Sequence, residues 1–181
     1  VVRHIATGSY LKRHPRIADG TCFKKPVVEF FYKTTGRMIG QHELPCDDPL
    51  MVWDKAHDCY QLYYPDRPDY EGWIRQLDLD ESGTQTLVDQ LASCETTALE
   101  VARHLRNAWD SLGGTLQDFK IEFGILPDGI KIVVADVIDC DSWRVTWDGI
   151  QLSEQSCRDG EDLTRVLGVY RLAASLTDRL A

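Results

Sequence analysis

The sequence predicts an α+β domain in which an antiparallel sheet is flanked by helices. Three observations carry this. Two β-prone runs, DFKIEFGIL (118–126) and IKIVVADVIDCDSWR (130–144), flank a Pro-Asp-Gly turn. Apolar residues recur at helical spacing over 84–112 and again over 161–180. A chain of 181 residues with 43% hydrophobic content can bury one core.

Each element follows from local chemistry. Near the N-terminus, TGSYLKR (7–13) is a small-residue turn followed by cations. Its Gly-Ser amides, with Arg3 and Lys12 nearby, suit a phosphate; the other reading is a solvated basic loop. KPVVEFFYK (25–33) reads as a strand. Residues 45–83 show neither period and contain Pro49, Pro65 and Pro68 among Trp53, Tyr60, Tyr63, Tyr64, Tyr70 and Trp73. They read as a long ordered loop or insertion, about 50–83, whose aromatics pack locally or meet a partner. Leu87, Leu91, Ala98, Val101, Ala102, Leu105 and Trp109 mark the first long helix, which Gly113-Gly114 stops. Beyond Thr146 an irregular polar stretch leads to the last helix, with Leu163, Val166, Leu167, Tyr170, Ala174 and Leu180 on its apolar side.

The hairpin holds charges where burial is expected. A three-residue loop at Pro127-Asp128-Gly129 sets Leu126 opposite Ile130, Val134 opposite Glu122 and Asp136 opposite Lys120. Strand alternation then places Asp118, Lys120, Glu122 and Asp136 on one face. Two carboxylates and an ammonium there suit Mg²⁺ with a polyphosphate, because hard cations take oxygen ligands. The alternative is a cross-strand salt bridge with Glu122 solvated at a sheet edge.

Charge and cysteine usage narrow the classes. The net charge is −9, yet residues 1–37 hold eight Lys/Arg against two Asp/Glu. Such an acidic chain disfavours nucleic acid, whereas a local basic segment fits a small phosphorylated ligand. No apolar run is long enough for a membrane span and no secretory segment is visible, so a cytoplasmic protein without membrane contact is expected. Six scattered cysteines without a CxxC pair read as reduced thiols. The five histidines lack metal-ligand spacing, and no P-loop or nucleophile elbow is present.

VVRHIATGSYLKR, DFKIEFG and VVADVIDCDSWR, in that order, resemble the SAICAR synthetase family (phosphoribosylaminoimidazole-succinocarboxamide synthases), and most closely its animal form, which is fused to an AIR carboxylase domain. The resemblance implies the family's second lobe and an ATP-dependent carbon–nitrogen ligase. The substrates would be CAIR and L-aspartate, with ATP and Mg²⁺ as cofactors, in purine biosynthesis, and a homo-oligomer is expected. Arg3 and Ser9, helped by Arg144, would hold the ribose phosphate. Lys120 would meet ATP phosphates, and Glu122 and Asp136 would carry Mg²⁺ and the nucleotide. Asp141 and Ser142 would line the CAIR end, with Arg158 and Asp48 adding cleft contacts.

Four departures accompany the resemblance. The family's N-terminal glycine-rich ATP lobe, with its G-K-[TA]-K-like motif, has no counterpart here. Glu154 stands where a Lys is usual, R-V-T-W replaces R-L-W, and the aromatic insertion is long. They leave open a pseudoenzyme or a module that binds a ribonucleotide or a protein.

Overall fold

A computed structural model describes all residues except 128–130, 155, 156, 158, 159, 161 and 181. In chain order the elements are β1 (Val2–Ile5), α1 (Ser9–Arg13), β2 (Cys22–Val28), β3 (Phe30–Phe31), β4 (Met38–Ile39), β5 (His42–Glu43), β6 (Leu50–Asp54) and β7 (Cys59–Tyr63). There follow α2 (Asp69–Gly72), β8 (Trp73–Gln76), α3 (Glu81–Ser111), β9 (Gly114–Phe119), β10 (Glu122–Ile125) and β11 (Ile132–Ala135). The last are β12 (Trp143–Trp147), β13 (Ile150–Gln151) and α4 (Leu163–Thr177), which ends in a 3₁₀ turn, Asp178–Leu180.

The main sheet has the order β13-β12-β9-β1-β2, and every neighbouring pair is antiparallel. Its register writes two rows across the three central strands. Val2, Phe119 and Trp143 are directly opposed, as are Arg3, Asp118 and Arg144. Because successive residues point to opposite faces, one row is apolar and the next is ionic. The apolar row joins Ala98, Ala102 and Trp109 of α3 and Val169, Ala173 and Leu176 of α4 in the larger core cluster. A β-bulge between Arg144 and Val145 on the β12–β9 pairing keeps Arg144 on Asp118 while Val145 meets Leu116.

Helix α3 joins this core to a second one. Asp80 caps its start by accepting from Gly83 N at 2.7 Å. Thirty-one residues give a helix about 46 Å long. Its C-terminal half lies on the main sheet, whereas Leu87 and Leu91 pack on Leu44, Met51, Leu62 and Leu77. Gly113, at φ +76°, ends the helix in the left-handed region. Gly114 then lies so close to Trp109 that a Cβ would meet its ring at 3.0 Å.

Two expectations need correction. Residues 45–83 are not a loop: β3, β6, β7 and β8 form a four-stranded sheet over the second core. Leu50 and Met51 are both buried while Val52 is exposed, so no period of two shows in the sequence. Trp53 stacks edge-on against Tyr60 with centroids 4.8 Å apart, so these aromatics pack locally. The expected single strand 118–126 also breaks. Lys120 N donates to Ser142 O at 2.6 Å and leaves the ladder. β10 then pairs with β11 through Glu122↔Ala135, and Leu126 N donates to Lys131 O at 2.9 Å. The register is one residue away from the expected one, because the connection spans 127–130. The Asp128-Gly129 part of the turn lies outside the described residues. Smaller differences are that 25–33 splits into β2 and β3 and that the polar stretch after Thr146 includes β13.

His4, on the apolar side of β1, is buried, and its Nε2 has no partner among the described residues. Burial, and then the charge of Arg106, lowers its pKa below the usual histidine value. The unfolded chain therefore takes up the proton first as the pH falls through about 6.5. The contribution of His4 to stability is full above that pH and is lost below it. Denaturant titrations of wild type and His4→Gln at pH 7.5 and 5.5 test this, and the loss on acidification should be smaller in the variant.

Candidate functional site

A cleft of about 590 Å³ opens where the ionic row of the main sheet meets the second sheet and the β10–β11 hairpin. Arg3, at 2% exposure, anchors its floor. Its Nε donates to Glu29 Oε2 at 2.5 Å, Nη1 to Asp118 Oδ2 at 2.5 Å and Nη2 to Ser9 Oγ at 3.3 Å. Arg144 Nη1 donates to the same Asp118 oxygen at 2.7 Å. Gly8, at φ +57°, begins the Ser9 turn, and a Cβ there would meet the Arg144 guanidinium at 2.7 Å. The turn can close on Arg144 because residue 8 has no side chain. Arg13 adds the next link by donating to Glu29 Oε1 and to the Pro65 carbonyl.

The site's electrostatics follow from burial and pairing. Burial alone would raise the Glu29 carboxyl, but Arg3 and Arg13 overcome it and hold Glu29 below the usual carboxylate value. At Asp118 burial is the larger effect and leaves the carboxyl raised despite Arg144 and Arg3. Three guanidiniums face two carboxylates in this chain of contacts, so it carries one surplus positive charge for an anion when both acids are ionised.

The opposite side of the cleft is built from longer and more exposed ion pairs. Glu122 lies between two ammonium groups, 3.2 Å from Lys33 Nζ and 3.3 Å from Lys120 Nζ. The Glu122 hydrogen bond raises the Lys33 pKa. Asp48, at φ +42°, accepts from Thr34 N at 2.8 Å and lies 3.4 Å from Lys33 Nζ. At the far end, Asp139 accepts from Asp141 N at 3.0 Å and from Ser142 Oγ at 3.3 Å, which shapes the Asp-Ser-Trp-Arg turn. Tyr170 of α4 donates to Asp141 Oδ1 at 2.5 Å.

Arg3, Ser9, Asp48, Lys120, Glu122, Asp141, Ser142 and Arg144 thus line one cleft. Asp136 does not. The shifted register puts it beyond the end of β11, exposed and at φ +70°, with its carboxylate accepting from Val137 N at 2.8 Å. The shared face of Glu122 and Asp136 is therefore not formed. Asp118, expected on that face too, instead belongs to the ionic row. Arg158 lies outside the described residues. Among the described residues no group of three or more His, Cys, Asp or Glu is placed to hold a metal ion. Sequence reading passed over Arg13, Glu29, Lys33 and Asp139. A charge within the apolar run of 25–33 was the available signal for Glu29.

Comparison with known proteins agrees with this architecture. The SAICAR synthetase family profile matches residues 76–163. The bifunctional purine synthesis protein purC/E of Dictyostelium discoideum is 37% identical over 80% of this chain and 12% of its own length. A phosphoribosylaminoimidazole-succinocarboxamide synthase from Roseiflexus is 34% identical over 98% of this chain and 61% of its own. The multifunctional protein ADE2 of Gallus gallus is 35% identical over 91% and 33%, respectively. Animal and bacterial relatives are thus similarly distant. The crystal structure of the Ehrlichia chaffeensis synthase superposes with TM-score 0.59 at 22% identity, covering 98% of this chain and 61% of that one. A SAICAR synthetase in complex with ADP gives 0.57 at 23%, covering 97% and 60%. The fold is the one seen in these solved synthetases. The chain belongs to the SAICAR synthetase family, and it spans at most about three-fifths of the relatives named above.

Proposed function

We propose that residues 1–181 form the substrate and ATP-cleft lobe of a ligase that joins L-aspartate to CAIR, giving SAICAR in purine biosynthesis. The Arg3–Asp118–Arg144 row under the Gly8-Ser9 turn carries this reading. It is a preorganised, partly buried cationic cradle of the kind that binds a phosphate monoester through charge-assisted hydrogen bonds. The ammonium groups of Lys33 and Lys120 line the same cleft and suit a polyphosphate. The family member solved with ADP supports a nucleotide as co-substrate.

In this reading the terminal phosphoryl of ATP passes to the CAIR carboxylate, giving an acyl phosphate and ADP. The aspartate amine attacks that carbonyl, phosphate departs, and the amine loses a proton as the amide forms. Protein groups contribute position and charge. Arg3, Ser9 and Arg144 hold the ribotide phosphate, Lys33 and Lys120 neutralise the transferring oxygens, and Asp141 and Ser142 border the reacting end. A magnesium ion held jointly by Glu122 and Asp136 does not fit, because Asp136 stands off the cleft and Glu122 is already paired with two ammonium groups. No step is routed through it.

Calorimetric titration with CAIR and with ATP tests the assignment. Arg144→Ala removes a charge-assisted partner of the phosphate, about 1.5–3 kcal/mol, so CAIR binding should weaken roughly 10- to 100-fold. ATP binding should change less than about twofold. Equal losses for the two ligands, or no CAIR binding by wild type, would rule the assignment out. Glu154 lines the cleft and favours the second reading, a ribonucleotide-binding module without turnover. CAIR binding without SAICAR formation, even when the rest of a relative's length is supplied, would select it.

A further inference from the structure

We infer that Arg13 and Glu29, which the family resemblance did not bring forward, are positioning residues that aim the Arg3 guanidinium at the ribotide phosphate. The inference rests on the reading of the Arg3–Arg144 cradle given above. Its basis is geometric. Arg13 is fully buried at the end of α1, immediately after the Ser9 turn, and it does not line the cleft. It spans two anchors, the Pro65 carbonyl and Glu29 Oε1. The other Glu29 oxygen takes Nε of Arg3, and Asp118 takes Nη1. Held by carboxylates at both ends, the Arg3 plane is fixed and Nη2 points to Ser9. Five N–H donors on a rigid fork are three used, leaving two for an anion.

The same contacts join distant parts of the chain. Pro65 belongs to the connection after β7, Arg13 to α1, Glu29 to the link between β2 and β3, and Asp118 and Arg144 to the main sheet. The connection after β7 is thereby tied to the phosphate cradle through a hydrogen bond to the Pro65 carbonyl and the ion pairs of Arg13, Glu29 and Arg3. Without Arg13, the Glu29 carboxylate would keep Arg3 as its one salt-bridge partner among the described residues and lose its tether to Pro65. It could then rotate, and the Arg3 fork would follow it.

The test is binding of CAIR and of ATP to the chain by titration, with wild type, Arg13→Lys, Arg3→Lys and the double variant. Lysine keeps the charge but cannot span two anchors in a planar fork. Arg13→Lys should weaken CAIR about tenfold and leave ATP within twofold, with near-native circular dichroism. In the Arg3→Lys background the same change should cost CAIR binding little, because Arg13 acts through Arg3. A role in folding alone would weaken both ligands together and would add to Arg3→Lys, and that outcome overturns the inference. Unchanged CAIR affinity in Arg13→Lys also overturns it while leaving the cradle intact. Failure of wild type to bind CAIR removes the cradle reading itself, and this inference with it.

Discussion

Replacing Asp118 with alanine should destabilise the fold by about 3–5 kcal/mol, among the largest effects of any single charge change here. Asp118 is 3% exposed and one of its oxygens takes both Arg3 Nη1 and Arg144 Nη1. Removing it leaves two guanidiniums facing each other across three strands, one of them buried, with no carboxylate between them. Coulomb repulsion and lost solvation then add. The pair Arg37–Glu43 provides the contrast. Its side chains are 46% and 62% exposed, so Glu43→Ala should cost no more than about 1 kcal/mol. Urea denaturation of both variants checks the difference. A cost for Asp118→Ala as small as that for Glu43→Ala would mean that the row is solvated and does not organise the cleft. Added salt should shrink the smaller effect and leave most of the larger one, since buried pairs are poorly screened.

The same row shows what could and could not be read from the sequence. Helices α3 and α4 were legible because their apolar residues keep a helical period against one sheet. The hairpin was legible as a hairpin, but its register was not. Turn chemistry favours three loop residues at Pro-Asp-Gly, whereas the pairing of Leu126 with Lys131 gives four. One residue of slip moves every partner, and it costs Asp136 its expected place beside Glu122. The break at Lys120 is set by Ser142, which a continuous β-prone run cannot reveal. The second sheet could not be read because adjacent residues such as Leu50 and Met51 are both buried, one on each face of β6, which hides the alternation. Family motifs brought Arg3, Ser9 and Arg144 together. The contacts that orient Arg3 join residues 26 and 115 positions apart, which no local pattern encodes.

Trp109→Ala should cost about 3–5 kcal/mol, for a reason opposite in kind. Trp109 is 1% exposed near the end of α3. Its ring meets Trp143 edge-on at 5.3 Å, and it lies over Gly114, where even a Cβ would be tight. It therefore fills the corner where helix, turn and sheet converge, and truncation leaves a cavity that this close packing cannot collapse into. At roughly 2–4 °C per kcal/mol for a chain of this size, the midpoint of thermal unfolding should fall by about 10 °C. Trp109→Phe should recover much of that loss, because volume and edge-on packing matter here more than the indole N–H. The consequence for the cleft is specific. Trp143 belongs to the apolar row directly behind Arg144, so loosening its packing should weaken CAIR at temperatures where the variant is still folded. A fully folded Trp109→Ala protein with wild-type CAIR affinity would show that the ionic row holds its geometry without support from the apolar row behind it.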